Sequence, residues 1–118
     1  MPRYMLLLHD DPTKLEGASP EELQKMMAEY IGWRERLMAS GQLIDGQKLE
    51  DEGGRELSLV NGEVRVVDGP YSEAKEIMGG YFMIEAADYD AAVEISKTCP
   101  HITYGKRIEL RAIDEIHD

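Results

Sequence analysis

Short apolar runs along the chain predict a sheet with two strands buried on both faces. Residues 3–8 are apolar at successive positions and too few for a helix, which is typical of a central strand. Residues 80–86 form a second strand of the same kind. Residues 42–49 also read as a strand, but Asp45 and Gly46 interrupt them, which indicates an edge strand or a bulge.

A long helix is predicted over residues 20–40. Ser19 can cap its start, and Glu22 can complete a capping box by reaching back to the same residue. Gly41 is suited to the left-handed conformation that ends many helices. The apolar residues recur at three- and four-residue spacing and predict one stripe, made of Leu23, Met26, Met27, Tyr30, Trp33, Leu37 and Met38.

A second helix and a last strand follow in the C-terminal third. Asp88 can cap a helix that runs to Thr98, where Pro100 prevents continuation. The predicted inner face of this helix carries Ala92, Ile95, Ser96 and Cys99. Residues 106–113 alternate as a strand does, with Ile108, Leu110 and Ala112 inward and Arg107, Glu109 and Arg111 outward.

A hairpin is predicted in the middle of the chain. Residues 57–60 and 63–67 are strand-like and flank Asn61 and Gly62. Both turn residues tolerate positive φ, as the tightest hairpin turns require.

The order of these elements predicts an α+β fold. It is the ferredoxin-like β-α-β-β-α-β pattern with an inserted hairpin, and 118 residues suit one domain over 1–118. Two helices cover only one face of such an antiparallel sheet, yet residues 3–8 are apolar on both faces. A second copy of the sheet is the simplest cover, so we expect a homodimer that pairs through the sheet face.

Composition narrows the classes of partner. Thirteen basic and twenty-four acidic residues give a net charge of −11, which disfavours nucleic-acid binding. No apolar run approaches the roughly 20 residues of a membrane-spanning helix, so no membrane partner is expected. The single cysteine, Cys99, has no intramolecular partner for a disulfide, and the chain opens without a leader pattern. We therefore expect a cytoplasmic protein.

Ionisable side chains are concentrated in the turn over residues 68–76, between two predicted strands. Asp68 is a candidate general base if apolar walls raise its pKa, or a turn-initiating carboxylate that accepts backbone N–H bonds. Tyr71 is a candidate for orienting a substrate, or an aromatic ring that only packs. Glu73 and Lys75 are candidates for holding a substrate, or members of a solvated ion pair.

The remaining candidates lie on strands and helices. His9, at the end of the first strand, and His101, at a helix exit, are candidate catalytic bases near neutral pH. His101 has the alternative of capping the last carbonyls of the helix. No metal is expected, because adjacent side chains on extended backbone point in alternating directions. Tyr30 and Trp33 are candidates for lining a substrate cavity, or residues of the core.

Several motifs together resemble the YCII-related family of the Asp-Gly-Pro-Phe type. They are Tyr4-Met5-Leu6-Leu7-Leu8, Trp33-Arg34-Glu35-Arg36-Leu37, Asp68-Gly69-Pro70-Tyr71 with Gly79-Gly80-Tyr81, and Cys99-Pro100-His101 with Tyr104-Gly105. The resemblance implies a dimeric α+β barrel. It also implies, for the catalytic branch of the family, a His of the first helix paired with an Asp. The first helix here has no His, so that pair is not carried over.

Three functions follow as hypotheses. The first is proton-transfer chemistry, such as isomerisation or elimination, on a small molecule in a cleft of the dimer without a cofactor. Asp68 is the base in this scheme, with His9 or His101 as its partner. The second is a non-catalytic binding or regulatory module. The third gives the Asp68 turn a role in the fold alone.

Overall fold

The computed structural model describes residues 1–11, 17–69 and 76–115. These residues form an α+β structure with six strands and three helices. The elements are β1 (Arg3–Asp10), α1 (Pro20–Ala39), β2 (Leu43–Lys48), β3 (Arg55–Val60), β4 (Glu63–Asp68), β5 (Ile77–Glu85), α2 (Tyr89–Lys97), α3 (Pro100–Thr103) and β6 (Arg107–Ala112). None of these helices combines the length and the apolar composition that a crossing of the bilayer needs.

Four strands form one antiparallel sheet in the order β2-β5-β1-β6. The two strands with consecutive apolar residues, β1 and β5, occupy the centre, as the sequence predicts. β2 lies at an edge, and its pairing with β5 is irregular between Leu43 and Asp45, in line with the predicted edge or bulge. With the hairpin set aside, this strand order is compatible with a ferredoxin-like fold.

The helices pack on one face of the sheet and form the core there. Alternate residues of β1, namely Tyr4, Leu6 and Leu8, point into it and are buried. The rest of the buried apolar core is Trp33, Leu43, Phe82, Ile84, Ala86, Ala92 and Cys99. Ile108 and Leu110 of β6 pack against this core, as their alternation predicts, whereas Ala112 is exposed.

Helix α1 begins as predicted, because the Ser19 hydroxyl accepts a hydrogen bond from the Glu22 amide at 3.1 Å. The single apolar stripe was a wrong prediction. Trp33 is buried, whereas Leu23, Met27 and Met38 are 41%, 60% and 53% exposed. Residues one position apart on a helix are rotated by about 100°, so the apolar side chains of α1 occupy two neighbouring stripes. Only one stripe rests on the sheet.

The hairpin is confirmed and stands outside the main sheet. β3 and β4 pair only with each other, and φ is 50° at Asn61 and 81° at Gly62. Positive φ at both central residues is the type I′ geometry that matches the twist of the flanking strands.

The short helix α3 is not predicted by the sequence. Pro100 was expected only to end the preceding helix, but it also occupies the first turn of α3. A proline suits that position because the amide it lacks would have no partner inside the helix. This turn brings His101 back towards the end of β1.

Candidate functional site

A cluster of polar side chains lies where β1 ends and β6 begins. Helix α1 contributes Tyr30, helix α3 contributes His101, and the strand ends contribute Asp10 and Lys106. Asp10 follows the alternation of Leu6 and Leu8 and therefore lies on the helix side of the sheet. We call these four residues the polar cluster.

His101 is 3% exposed, and both of its ring nitrogens have partners. Nε2 lies 2.8 Å from the backbone oxygen of His9, and Nδ1 lies 2.9 Å from the Tyr30 hydroxyl. A carbonyl oxygen only accepts, so Nε2 carries the proton. In the neutral ring Nδ1 is then the acceptor, and the Tyr30 hydroxyl donates to it. His101 thus joins α3 to β1 and to α1, instead of capping the preceding helix as one alternative had it.

Burial shifts both partners of this hydrogen bond towards their neutral forms. It lowers the pKa of His101, and the Lys106 ammonium lowers it further, while the hydrogen bond to His9 and the Asp10 carboxylate act in the opposite direction. Burial is also the main cause of the raised pKa of Tyr30. At neutral pH the pair is therefore a phenol donating to a neutral imidazole.

Acidification should reveal the neutral state of His101. Below its ordinary pKa of 6.5, the unfolded chain binds a proton that the buried ring does not. The unfolded state then binds more protons, so the free energy of unfolding falls as pH falls from 6.5 towards the lower folded pKa. His101→Gln removes this contribution. The stability advantage of the wild type should therefore shrink by up to about 1.4 kcal/mol per pH unit, as measured by urea unfolding at pH 7 and 5.5. An advantage that stays constant or grows would show that the ring is charged in the folded protein.

Asp10 and Lys106 form an ion pair that is nearly closed to solvent. Their charged atoms are 3.2 Å apart, and their side chains are 15% and 8% exposed. The Asp10 atom in this contact is Oδ1, which is buried and accepts no hydrogen bond of good geometry from any residue that the structure describes. Gly79 makes room for this carboxylate, because a Cβ there would lie 3.1 Å from the Asp10 Cβ. The pair is therefore two opposite charges that are largely removed from water.

His9 lies on the opposite, open face of the sheet. Its Nε2 donates to Glu109 Oε1 at 3.1 Å, and the two side chains are 19% and 41% exposed. Arg107 on the same face contacts Glu76 at 3.2 Å. His9 therefore reaches the polar cluster only through its backbone oxygen.

The structure unites three of the residues predicted for the site and separates others. His101, Tyr30 and the backbone of His9 meet. Trp33 is 1% exposed and belongs to the core, which was the other alternative for it. Asp68 lies on the hairpin with its side chain 90% exposed and 3.4 Å from Arg55, so the expected apolar walls are not around it. The candidates Tyr71, Glu73 and Lys75 lie outside the described residues.

Asp10, Lys106 and Glu109 were not predicted as site residues. The alternation of the strands indicates inward positions for two of them, Lys106 and Asp10. The period that places Ile108 and Leu110 inward also places Lys106 inward, and the same reasoning applies to Asp10 after Leu8.

Other features of the described residues offer less chemistry. Burial raises the pKa of the Cys99 thiol to about 11, which leaves little thiolate at neutral pH. Within residues 1–11, 17–69 and 76–115, no three His, Cys, Asp or Glu side chains are arranged to hold a metal ion. An apolar cavity of about 290 Å³, lined in part by Gly41, Ala86 and Ile95, lies at the Arg3 end of the sheet, away from the polar cluster.

The fold and the site define a small α+β protein with a one-sided antiparallel sheet and, at its end, a buried histidine paired with a partly exposed tyrosine. The model of the YCII-related domain family matches residues 2–116, and the chain belongs to this family. The chain is also 26% identical over 95 residues to an uncharacterised protein of Rhizobium meliloti (strain 1021). That match covers 80% of this chain and 77% of the relative.

Proposed function

We propose that this protein is a cytoplasmic homodimer that binds a small polar molecule beside the polar cluster. The open face of the sheet supports the dimer. Met5 lies opposite Met83, and Leu7 lies opposite Tyr81, on the face that none of the three described helices covers. A two-fold axis would place this apolar surface of one copy against the same surface of the other. The net charge of −11 supports a small molecule over a nucleic acid.

The observation that carries the proposal is the nearly buried Asp10–Lys106 ion pair beside the partly exposed Tyr30. Bringing two opposite charges out of water costs free energy that their attraction does not reliably return, so such a pair is weak evidence for a structural role. Asp10 Oδ1 is buried, and the Lys106 ammonium 3.2 Å away is its charged partner. A ligand with a hydroxyl or amine donor would give the Asp10 carboxylate a further partner, while Lys106 would attract an electron-rich oxygen.

Proton transfer is the chemistry that the neighbouring pair favours. Tyr30 is partly exposed, and the neutral His101 lies behind it. A proton taken from carbon or oxygen of the substrate passes to the Tyr30 oxygen as the phenol proton moves to Nδ1 of His101. The Tyr30 oxygen then returns a proton to a neighbouring substrate atom as Nδ1 of His101 gives its proton back to Tyr30. This completes an isomerisation, and no cofactor is required.

A non-catalytic binding module is the alternative, and a specific observation favours it. Both nitrogens of His101 are engaged inside the chain, and the residue is 3% exposed. A histidine held in this way can fix the position of Tyr30 without exchanging protons. Ligand binding at the cluster would then occur with no turnover.

The first test is a thermal-shift screen against hydroxylated aromatics, lactones, small acids and phosphates. A compound at about 100 times its Kd adds about 2.7 kcal/mol of stability. We expect Tyr30→Phe to abolish the shift of a true ligand, because it removes the hydroxyl. Tyr89→Phe is the matched control, since Tyr89 loses only a hydrogen bond from the Ala112 amide at the other end of the sheet. Equal shifts in both variants would remove Tyr30 from the site.

Turnover of a confirmed ligand separates the two functions. If the protein is an enzyme, His101→Gln should lower kcat by about 100-fold or more while the thermal shift persists. If it is a binding module, the wild type converts none of the compounds that it binds.

A further inference from the structure

The β3–β4 hairpin presents an apolar surface to solvent. Leu57 lies opposite Val66, and Leu59 lies opposite Val64. Directly opposite residues of an antiparallel pair share a face. These four residues, which we call the hairpin stripe, are 66%, 57%, 72% and 67% exposed in that order. A contiguous apolar patch on a soluble protein marks an interaction surface.

The other face of the hairpin is more polar. Its cross-strand pairs are Ser58 with Arg65, Glu56 with Val67, and Val60 with Glu63. Alternation of this kind is typical of a strand with one covered face. Neither strand pairs with the four-stranded sheet, and an unsupported two-stranded hairpin is only marginally stable in water. The hairpin therefore needs a partner that covers its apolar side.

The amount of exposed surface indicates the size of that partner. The chain exposes 8297 Å², whereas a folded monomer of its mass, 13.3 kDa, exposes about 6,500 Å². The excess is larger than the roughly 800 Å² per partner of a standard protein interface. The radius of gyration is 16.4 Å, against about 13.5 Å for a compact domain of this length. The exposed area of the chain is therefore closer to that of one subunit of a dimer than to that of a compact monomer.

We propose that the hairpin is a dimerisation arm whose stripe packs against a second copy of this chain. The inference rests on the homodimer of the proposed function and adds to its interface. The hairpin follows the edge strand β2, whose end is marked by the hydrogen bond from the Leu49 amide to the Gly79 oxygen at 2.9 Å. A copy paired through the sheet face is the partner that the homodimer already supplies. Two-fold symmetry covers both stripes, because each copy gives one arm and receives one.

The arm also places Asp68 at the subunit boundary. Arg55 lies opposite Asp68, two residues along from the Leu57–Val66 pair and on the same face. A second copy that covers the stripe brings apolar walls to this ion pair. The environment that the sequence predicts for Asp68 is then a property of the dimer.

Sedimentation equilibrium of the full chain tests the arm. Leu59→Lys places a charge in the stripe, and we expect it to raise the Kd of the dimer by about ten-fold or more. Ser58→Lys is the matched control, with the same charge change one residue away on the other face, and it should leave the Kd within about two-fold. Leu7→Lys tests the sheet face independently. Both hairpin positions are exposed, so neither variant disturbs the core.

The outcomes separate the arm from the homodimer itself. A dimer weakened by both Leu59→Lys and Leu7→Lys, but not by Ser58→Lys, supports the arm. A dimer weakened only by Leu7→Lys overturns the arm and leaves the sheet-face homodimer in place. A wild type that stays monomeric at all concentrations overturns both. Equal weakening by Ser58→Lys and Leu59→Lys also overturns the arm, because the effect then does not depend on the stripe.

Discussion

Replacing Trp33 with alanine should lower the free energy of unfolding by about 4 kcal/mol. Trp33 is 1% exposed and meets the ring of Phe82 edge-on, with centroids 5.0 Å apart. Its indole N–H donates to the Thr98 hydroxyl at 2.8 Å. The side chain thus joins α1, β5 and the end of α2, and its removal leaves a cavity between all three. Urea unfolding followed by circular dichroism measures the loss.

Two variants separate the parts of this effect. Thr98→Val removes the acceptor of the indole hydrogen bond and should cost about 1 kcal/mol. Trp33→Phe keeps an aromatic ring against Phe82, so its loss of stability should fall between those of Thr98→Val and Trp33→Ala. A Trp33→Ala loss below that of Thr98→Val would show that the ring is not a centre of the core.

Asp10→Leu should cost about 3 kcal/mol, because it leaves a buried ammonium without its counter-charge. The Lys106 side chain is only 8% exposed, so water cannot replace the carboxylate. The double variant Asp10→Leu/Lys106→Met removes both charges and should return to within about 1 kcal/mol of the wild type. Chemical denaturation of the wild type, both single variants and the double variant gives the coupling energy.

The same double variant tests the role of the pair. If the pair binds a ligand, the stable double variant should lose the thermal shifts that the wild type shows. If the loss of stability in the double variant equals the sum of the losses in the two single variants, the coupling is contradicted, since neither charge then depends on the other.

Much of the fold follows from the period of the apolar residues. Consecutive apolar residues in β1 and β5 predict the centre of the sheet, and Asn61-Gly62 predicts the hairpin turn. Local chemistry is sufficient in these cases, because a strand at the centre of a sheet and a turn with positive φ each demand particular residues. The alternation in β6 also predicts its inner face.

The prediction of a single apolar stripe on α1 fails because spacing carries only part of the information. Apolar spacing shows which residues of α1 prefer a covered surface, but it does not show how wide the covering surface is. Met27 and Met38 match the spacing and remain exposed in the chain. The width of a contact depends on tertiary packing, and with a dimer also on the second copy.

The candidate site was only partly predictable. Tyr30 and His101 are 71 positions apart, and the short helix α3 that brings them together has no clear periodic signal. The Asp10–Lys106 pair was accessible through strand alternation, since both residues continue an inward series. The turn over residues 68–76 has the densest ionisable residues, but Asp68, one of its described carboxylates, is exposed in a single chain.

The central claim is that a small molecule binds beside the polar cluster, and chemical-shift mapping by NMR tests it most directly. A compound from the thermal-shift screen is titrated into isotopically labelled wild-type protein. We expect the largest shifts at Tyr30, His101 and Lys106, with the Nε2–H signal of His101 retained because the backbone oxygen of His9 still accepts its hydrogen bond. Shifts centred instead on Gly41, Ala86 and Ile95, which line the apolar cavity at the far end of the sheet, would contradict it.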